Sequence, residues 1–147
     1  MAIALLDVNV LLALAWPTHI HHDAAHGWFA ENRGFGWATC AVTESGFARL
    51  SMQPAVVKVP VLFGDVMALL AQITASADHR FWPMEHDLAQ MDEALKARVL
   101  GHQQLTDAVL LDLAIRNQGR LATLDRRVAG LLAGDSRLDS AVAIIPA

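Results

Sequence analysis

The chain has 147 residues, 54% of them hydrophobic, enough to bury a substantial core and a size that matches one domain better than two. Its formal net charge of −4 excludes a broad basic surface that coats nucleic acid through many phosphate contacts. The single cysteine, Cys40, excludes an internal disulfide framework and suits a reducing cytoplasm, so a single cytoplasmic domain over residues 1–147 is expected.

Residues 2–6 are a continuous apolar run, the pattern of a parallel strand covered on both faces, and Asp7 follows directly. This apolar start has no basic leader and carries Asp7 and Asn9, so it reads as structure and not as a secretion signal. A short helix is expected over residues 8–16, stopped by Pro17. A second covers 23–32, with Ala24, Trp28 and Phe29 inward and Gly34 as the stop signal. Residues 36–40 read as a strand. After it Thr43 is placed as an N-cap, Glu44 in the first helical turn, and Phe47 and Leu50 on the buried stripe.

Residues 53–60 hold two prolines and no helical period, which reads as a loop. Over 61–77 a helix places Leu62, Val66, Leu69 and Ile73 on one face. A short strand at 79–82 is closed by Pro83. Leu88, Met91, Leu95 and Val99 then recur at helical spacing, giving one helix that ends at Gly101. A strongly apolar helix over 106–117, a strand over 120–124, a helix over 126–133 and a last strand over 141–145 complete the chain. No uncharged apolar stretch reaches the roughly 18 residues of a membrane span, so no membrane association is expected. Strands alternate with helices throughout, which predicts an α/β fold with a mainly parallel central sheet flanked by helices.

Asp7, Glu44, Asp107 and Asp125 each fall where an apolar run stops or a helix begins. In open parallel sheets ligands bind beyond the carboxyl ends of the strands, where all four belong in this reading. Each alone is explained as a helix cap or a first-turn carboxylate. Together they are not, because two carboxylates about 5 Å apart repel by roughly 3 kcal/mol at an effective dielectric near 20. A hard cation resolves the repulsion, and oxygen-only ligands favour Mg²⁺ or Mn²⁺ over zinc. If the strand at 120–124 continues, Thr123 and Asp125 share a face, and Asn9 similarly accompanies Asp7. Setting the four acids aside leaves eleven acids against eleven Lys and Arg, so an anionic substrate is not excluded.

Other polar residues carry less. His22 and His26 have the i, i+4 spacing of helical zinc ligands, but no Glu follows in an HExxH arrangement, and a solvated helix start explains them. Asp112 has Arg116 four residues on, a surface ion pair. His102, Arg49, Arg126 and Arg127 are candidates to hold a phosphate; for the arginines, charge balance against the acids is the even alternative.

The segments Leu6-Asp7-Val8-Asn9, Glu44 with Arg49, Thr106-Asp107-Ala108 and Ala122-Thr123-Leu124-Asp125 resemble the PIN-domain ribonucleases, particularly the VapC-type toxins. The resemblance covers the chain from Asp7 to about Leu132. It implies a PIN-like three-layer sandwich, a carboxylate cluster binding Mg²⁺ or Mn²⁺, endonucleolytic cleavage of RNA, homodimers, and a cognate antitoxin protein. Carried over residue by residue, Asp7 and Asp107 are the strongest metal ligands, Glu44 completes the shell, Asp125 is the fourth acid, and Thr123 and Asn9 orient them. Some relatives carry a further acid shortly after the fourth. Here Arg126 and Arg127 stand there, which argues against a second tightly held metal. The alternatives are a housekeeping PIN nuclease for RNA processing and an inactive PIN-like binding domain.

Overall fold

The computed structural model describes residues 2–147; Met1 lies outside them. Strand β1 (Ala4–Leu6) leads into α1 (Val8–Ala15) and α2 (His22–Asn32), then β2 (Trp37–Thr39) and the helices α3 (Ala41–Ser51), α4 (Pro54–Val57) and α5 (Phe63–Thr74). There follow β3 (His79–Phe81), α6 (Glu93–Arg98), α7 (Leu105–Arg116), β4 (Arg120–Thr123), α8 (Ser136–Ser140) and β5 (Val142–Ile144). The five strands form one parallel sheet in the order β3-β2-β1-β4-β5.

Strand alternation builds two cores, one on each face. Leu5, Ala38 and Leu121 point to the side covered by α6, α7 and α8, where they meet Leu95, Leu110, Leu111, Ala114 and Leu138. Ala4, Leu6, Trp37 and Ala122 point to the other side and pack on Val10, Leu11, Phe47, Val66 and Leu70 of α1, α3 and α5. The result is the expected three-layer sandwich, whose central strands are apolar on both faces as a covered parallel sheet requires. Helix α3 crosses α1 so closely that a Cβ on Gly46 would stand 2.7 Å from Val8 Cγ2. That close approach seats the start of α1, which Asp7 caps, against the helix carrying Glu44.

The structure corrects several sequence expectations. The prolines of 53–60 do not make a plain loop: Pro54 occupies the first turn of α4, where its missing N–H costs nothing, and Lys58 ends the helix in the left-handed conformation. The helix expected over 88–99 is broken. Residues Leu88–Gln90 form a 3-10 turn, and Asp92 starts α6 anew by accepting from the backbone N–H groups of Ala94 and Leu95. Its own N–H donates to Asp112 Oδ1 at 2.9 Å, which fixes the break. The stretch expected as a helix over 126–133 is a 3-10 segment, Arg126–Leu131.

Thr43 is not an N-cap. Cys40 holds that position, and Thr43, three residues on, accepts from the Cys40 N–H at 3.0 Å in a capping box. On α2 the fully buried side chain is Ala25, with Trp28 and Phe29 only partly covered. Leu62 is 73% exposed because it precedes α5 and does not belong to its inner face. Among the described residues, no helix is long and apolar enough to cross a membrane.

Candidate active site

From β1 the chain adds β2 and β3 on one side of the sheet, then β4 and β5 on the other. This reversal leaves a crevice beyond the carboxyl end of β1, the place where open parallel sheets receive ligands. Asp7 stands there as the N-cap of α1. Its Oδ1 accepts from the Val8 N–H and its Oδ2 from the Thr123 hydroxyl, both at 2.7 Å. The side chain is buried, 8% exposed, and burial pushes its carboxyl above the usual range despite those two hydrogen bonds; the negative charge of Asp125 pushes the same way.

Thr123, the last residue of β4, fills every bonding position of its hydroxyl. It gives its proton to Asp7 and accepts from Asn9 Nδ2 at 3.2 Å and from the Asp125 N–H at 3.0 Å. Asn9 Oδ1 in turn accepts from the Leu124 N–H at 3.2 Å. The first turn of α1 is thereby laced to the end of β4.

Asp107 lies in the first turn of α7, half-buried. Burial first, then the charges of Asp7 and Asp125, push its carboxyl up to about 6. Asp125 is drawn the other way by Arg127. The guanidinium Nη2 donates to Oδ2 at 2.7 Å, Nε lies 3.0 and 3.1 Å from the two oxygens, and the Arg127 N–H donates to Oδ1 at 2.9 Å. Those bonds hold the Asp125 carboxyl below its ordinary value. Three aspartates from three separate elements thus share one electrostatic neighbourhood, with Arg127 as a counter-charge.

Glu44 has a different partner. Its Oε2 accepts from the Thr39 hydroxyl at 2.6 Å, and the same hydroxyl lies 2.8 Å from His79 Nε2. A hydroxyl has one proton. With that proton on the Glu44 side, His79 donates through Nε2, and burial lowers its pKa so that the neutral ring is favoured. Thr39 and His79 escaped the sequence reading, although a signal was present: β2 and β4, the two neighbours of β1, both end in Ala-Thr.

The remaining candidates scatter. Arg49 is exposed on α3 and lines, with Glu44, a groove whose other walls include Met52, Phe63 and Phe81. Arg126 is exposed. His102 sits with Asp107 and Arg127 on an open cleft. Asp112 pairs with Arg116 at 2.9 Å, as expected. His22 Nδ1 and His26 Nε2 contact the backbone carbonyls of Ala13 and Leu14 at 2.7 and 2.9 Å, so these two rings serve the C-terminal end of α1.

Among the described residues, no three His, Cys, Asp or Glu side chains are gathered tightly enough to grip a metal ion as they stand. The donors nonetheless fit a hard cation in type and charge. They are carboxylate oxygens, and burial first, then neighbouring negative charge, raises Asp7 and Asp107, a cost that a cation would offset. Asp125 spends both oxygens on Arg127, and Glu44 is turned to Thr39, which leaves the group open.

No protein-family model matches the chain. It is similar to curated proteins of Mycobacterium tuberculosis. Ribonuclease VapC39 is 43% identical over 126 residues, 86% of this chain and 91% of that protein. Ribonuclease VapC38 is 43% identical over 125 residues, 85% of this chain and 86% of the relative. Ribonuclease VapC44 is 38% identical over 126 residues, covering 86% of this chain and 88% of its own.

Proposed function

The chain belongs to the VapC-type PIN-domain ribonucleases, and from that membership we propose that it is an endoribonuclease dependent on Mg²⁺ or Mn²⁺, the toxin of a toxin-antitoxin pair. The observation that carries the reading is the knot at Asp7. One buried carboxylate is fixed by Thr123 and crowded by Asp107 and Asp125, beyond the carboxyl end of the central strand.

Asp7 and Asp107 would hold the cation, with Asp125 and Glu44 completing its surroundings. A bound Mg²⁺ or Mn²⁺ supplies Lewis acidity toward water and toward the scissile phosphate. Thr123 keeps Asp7 Oδ2 in place by its hydrogen bond, and Asn9 keeps Thr123 in place. Arg126 and Arg127 offer exposed guanidinium groups to the phosphate backbone. The reaction forms a bond from water oxygen to phosphorus and breaks the bond from phosphorus to O3′, which takes the proton. The products carry 5′-phosphate and 3′-hydroxyl ends, and the RNA 2′-hydroxyl takes no part.

The groove bearing Glu44 and Arg49 leaves the apolar side chains of Met52, Phe63 and Phe81 exposed, the kind of surface that a protein partner covers. We assign the cognate antitoxin and a second copy of the chain as its partners, in the cytoplasm. The test is cleavage of RNA by the purified protein with Mg²⁺, Mn²⁺ or EDTA. Cutting should need a divalent cation, and Asp7→Ala and Asp107→Asn should both abolish it while the circular dichroism spectrum stays unchanged. Unchanged cutting by both variants, or cyclic 2′,3′-phosphate ends, would refute the mechanism.

A further inference from the structure

An open cleft of about 590 Å³ begins at Asp107 and runs between residues 100–104 on one side and Arg127 and Leu131 on the other. Its volume falls within the roughly 300–1,000 Å³ of small-molecule sites. The lining joins chemistries that packing alone does not bring together: the leucines Leu100 and Leu131, the imidazole of His102, the carboxamides of Gln103 and Gln104, and the guanidinium of Arg127. Leu100 is 89% exposed, an apolar side chain left bare at the rim.

The loop is shaped by its own hydrogen bonds. Gln104 Oε1 accepts from the Leu100 N–H at 2.7 Å, closing residues 100–104 into a compact turn. The turn is backed by the segment carrying Arg127, since a Cβ on Gly130 would stand 3.7 Å from Gln104 Nε2. Gln103 and His102 are thereby free to meet a ligand, while Gln104 serves the loop.

We propose that this cleft seats one unpaired nucleotide of the RNA substrate, next to the scissile phosphate, and sets the base preference of the cut. The proposal rests on the nuclease reading and adds to it the group that specifies sequence. A base has an apolar face, which Leu100 and Leu131 match, and a polar edge, which Gln103 and His102 match. Its phosphate is met by Arg127, which also touches Asp125 and so joins the cleft to the acid group. Duplex RNA does not fit this role, because stacked and paired bases offer neither a free face nor a free Watson–Crick edge.

Two measurements test the proposal. In the first, each of the four nucleoside 5′-monophosphates is titrated into the ¹⁵N-labelled protein with Mg²⁺ and amide shifts are followed by NMR. The amides of residues 100–104 and 127–131 should shift, one base more than the others; shifts that avoid both segments, or are absent for all four, overturn the cleft. In the second, wild type, Leu100→Ser and Gln103→Ala cut a randomised single-stranded RNA pool with Mn²⁺, and the ends are sequenced. The wild-type preference at the base beside the cut should be about tenfold, the discrimination of one well-made polar contact to a base edge, and should shrink to near twofold in Gln103→Ala. Leu100→Ser, which loses the apolar contact to a face common to all bases, should cut more slowly at every site. Wild-type cutting with the same preference in both variants removes the cleft and leaves the nuclease. Shifts in the cleft from a protein that cuts no RNA keep the cleft and remove the nuclease.

Discussion

Thr123 Oγ1 donates to Asp7 Oδ2 at 2.7 Å across 116 residues of chain, tying the end of β4 to the end of β1. On the other side of β1, Thr39 makes the corresponding gift to Glu44 at 2.6 Å. Each neighbour of the central strand therefore ends in a buried threonine that orients an acid.

Replacing Thr123 by Val removes a donor from Asp7 and an acceptor from both Asn9 and the Asp125 N–H, all in a partly dry setting. Stability should fall by about 1–3 kcal/mol in urea titration, and kcat/KM on RNA by about 10–100-fold, as for other groups that orient ligands. Thr123→Ser keeps the hydroxyl and should stay near wild type; an equal loss in the Ser variant would show that the methyl group, not the hydrogen bond, was at stake. At the twin position, His79→Gln keeps an N–H for Thr39 and should retain activity that His79→Ala loses.

The pH dependence follows from Asp107. In the folded protein its carboxyl keeps its proton up to about pH 6, whereas an exposed aspartate loses it near 4. Between those values the folded state binds more protons than the unfolded state, so stability without divalent cations falls as pH rises from about 4 to 6 and levels off above. Asp7, also raised, acts in the same direction. Measured against Asp107→Asn, in which this contribution is gone while the opposite slope of the partly buried His79 remains, wild-type melting temperatures in EDTA should decline across that window, and added Mg²⁺ should restore more stability at pH 7.5 than at pH 5. Asp107→Asn should melt higher than wild type in EDTA at pH 7.5 and gain nothing from Mg²⁺. A lower melting temperature for that variant would contradict the assigned repulsion.

Arg127 makes a prediction with two opposite signs. Its guanidinium fills both oxygens of Asp125 from an exposed position, so it competes with any cation for that carboxylate. Arg127→Gln should bind Mn²⁺ more tightly by calorimetry and single-stranded RNA less tightly by fluorescence anisotropy, while its melting temperature hardly moves, as expected for a solvent-exposed pair. Weaker binding of both would mean that Arg127 supports Asp125 as a ligand and does not compete with the metal.

The layers were legible because a covered parallel strand is written as an unbroken apolar run, as in Ala4–Leu6, and helical segments separate each strand from the next. What was not legible came from local hydrogen bonds that outvote periodicity. Leu88, Met91, Leu95 and Val99 recur at helical spacing, yet the cap at Asp92 splits that stretch in two and leaves Met91 and Leu95 buried but Leu88 exposed. Pro54 was read as a breaker where it opens a turn. The acids stood out because a carboxylate directly after an apolar run has no packing reason to be there. Thr39 and His79 did not, because they meet only through the pairing of β2 with β3, which joins residues 40 apart in the chain. Whether an arginine near the acids holds substrate or balances charge was undecidable from order alone. The contact of Arg127 with Asp125 shows it balancing charge in the free protein.

The late arrival of β4 has a bearing on the cell that makes this chain. A ribosome that has extruded the protein only as far as α7 has released Asp7, Glu44 and Asp107 but neither Thr123 nor Asp125, and the middle strand still lacks one of its two neighbours. The knot around Asp7 forms only when the two ends of the polypeptide meet, a long-range event that comes late in folding. Fragments from premature termination or proteolysis before Arg120 should therefore be harmless to RNA, which a cleavage assay on the protein truncated after Gly119 checks.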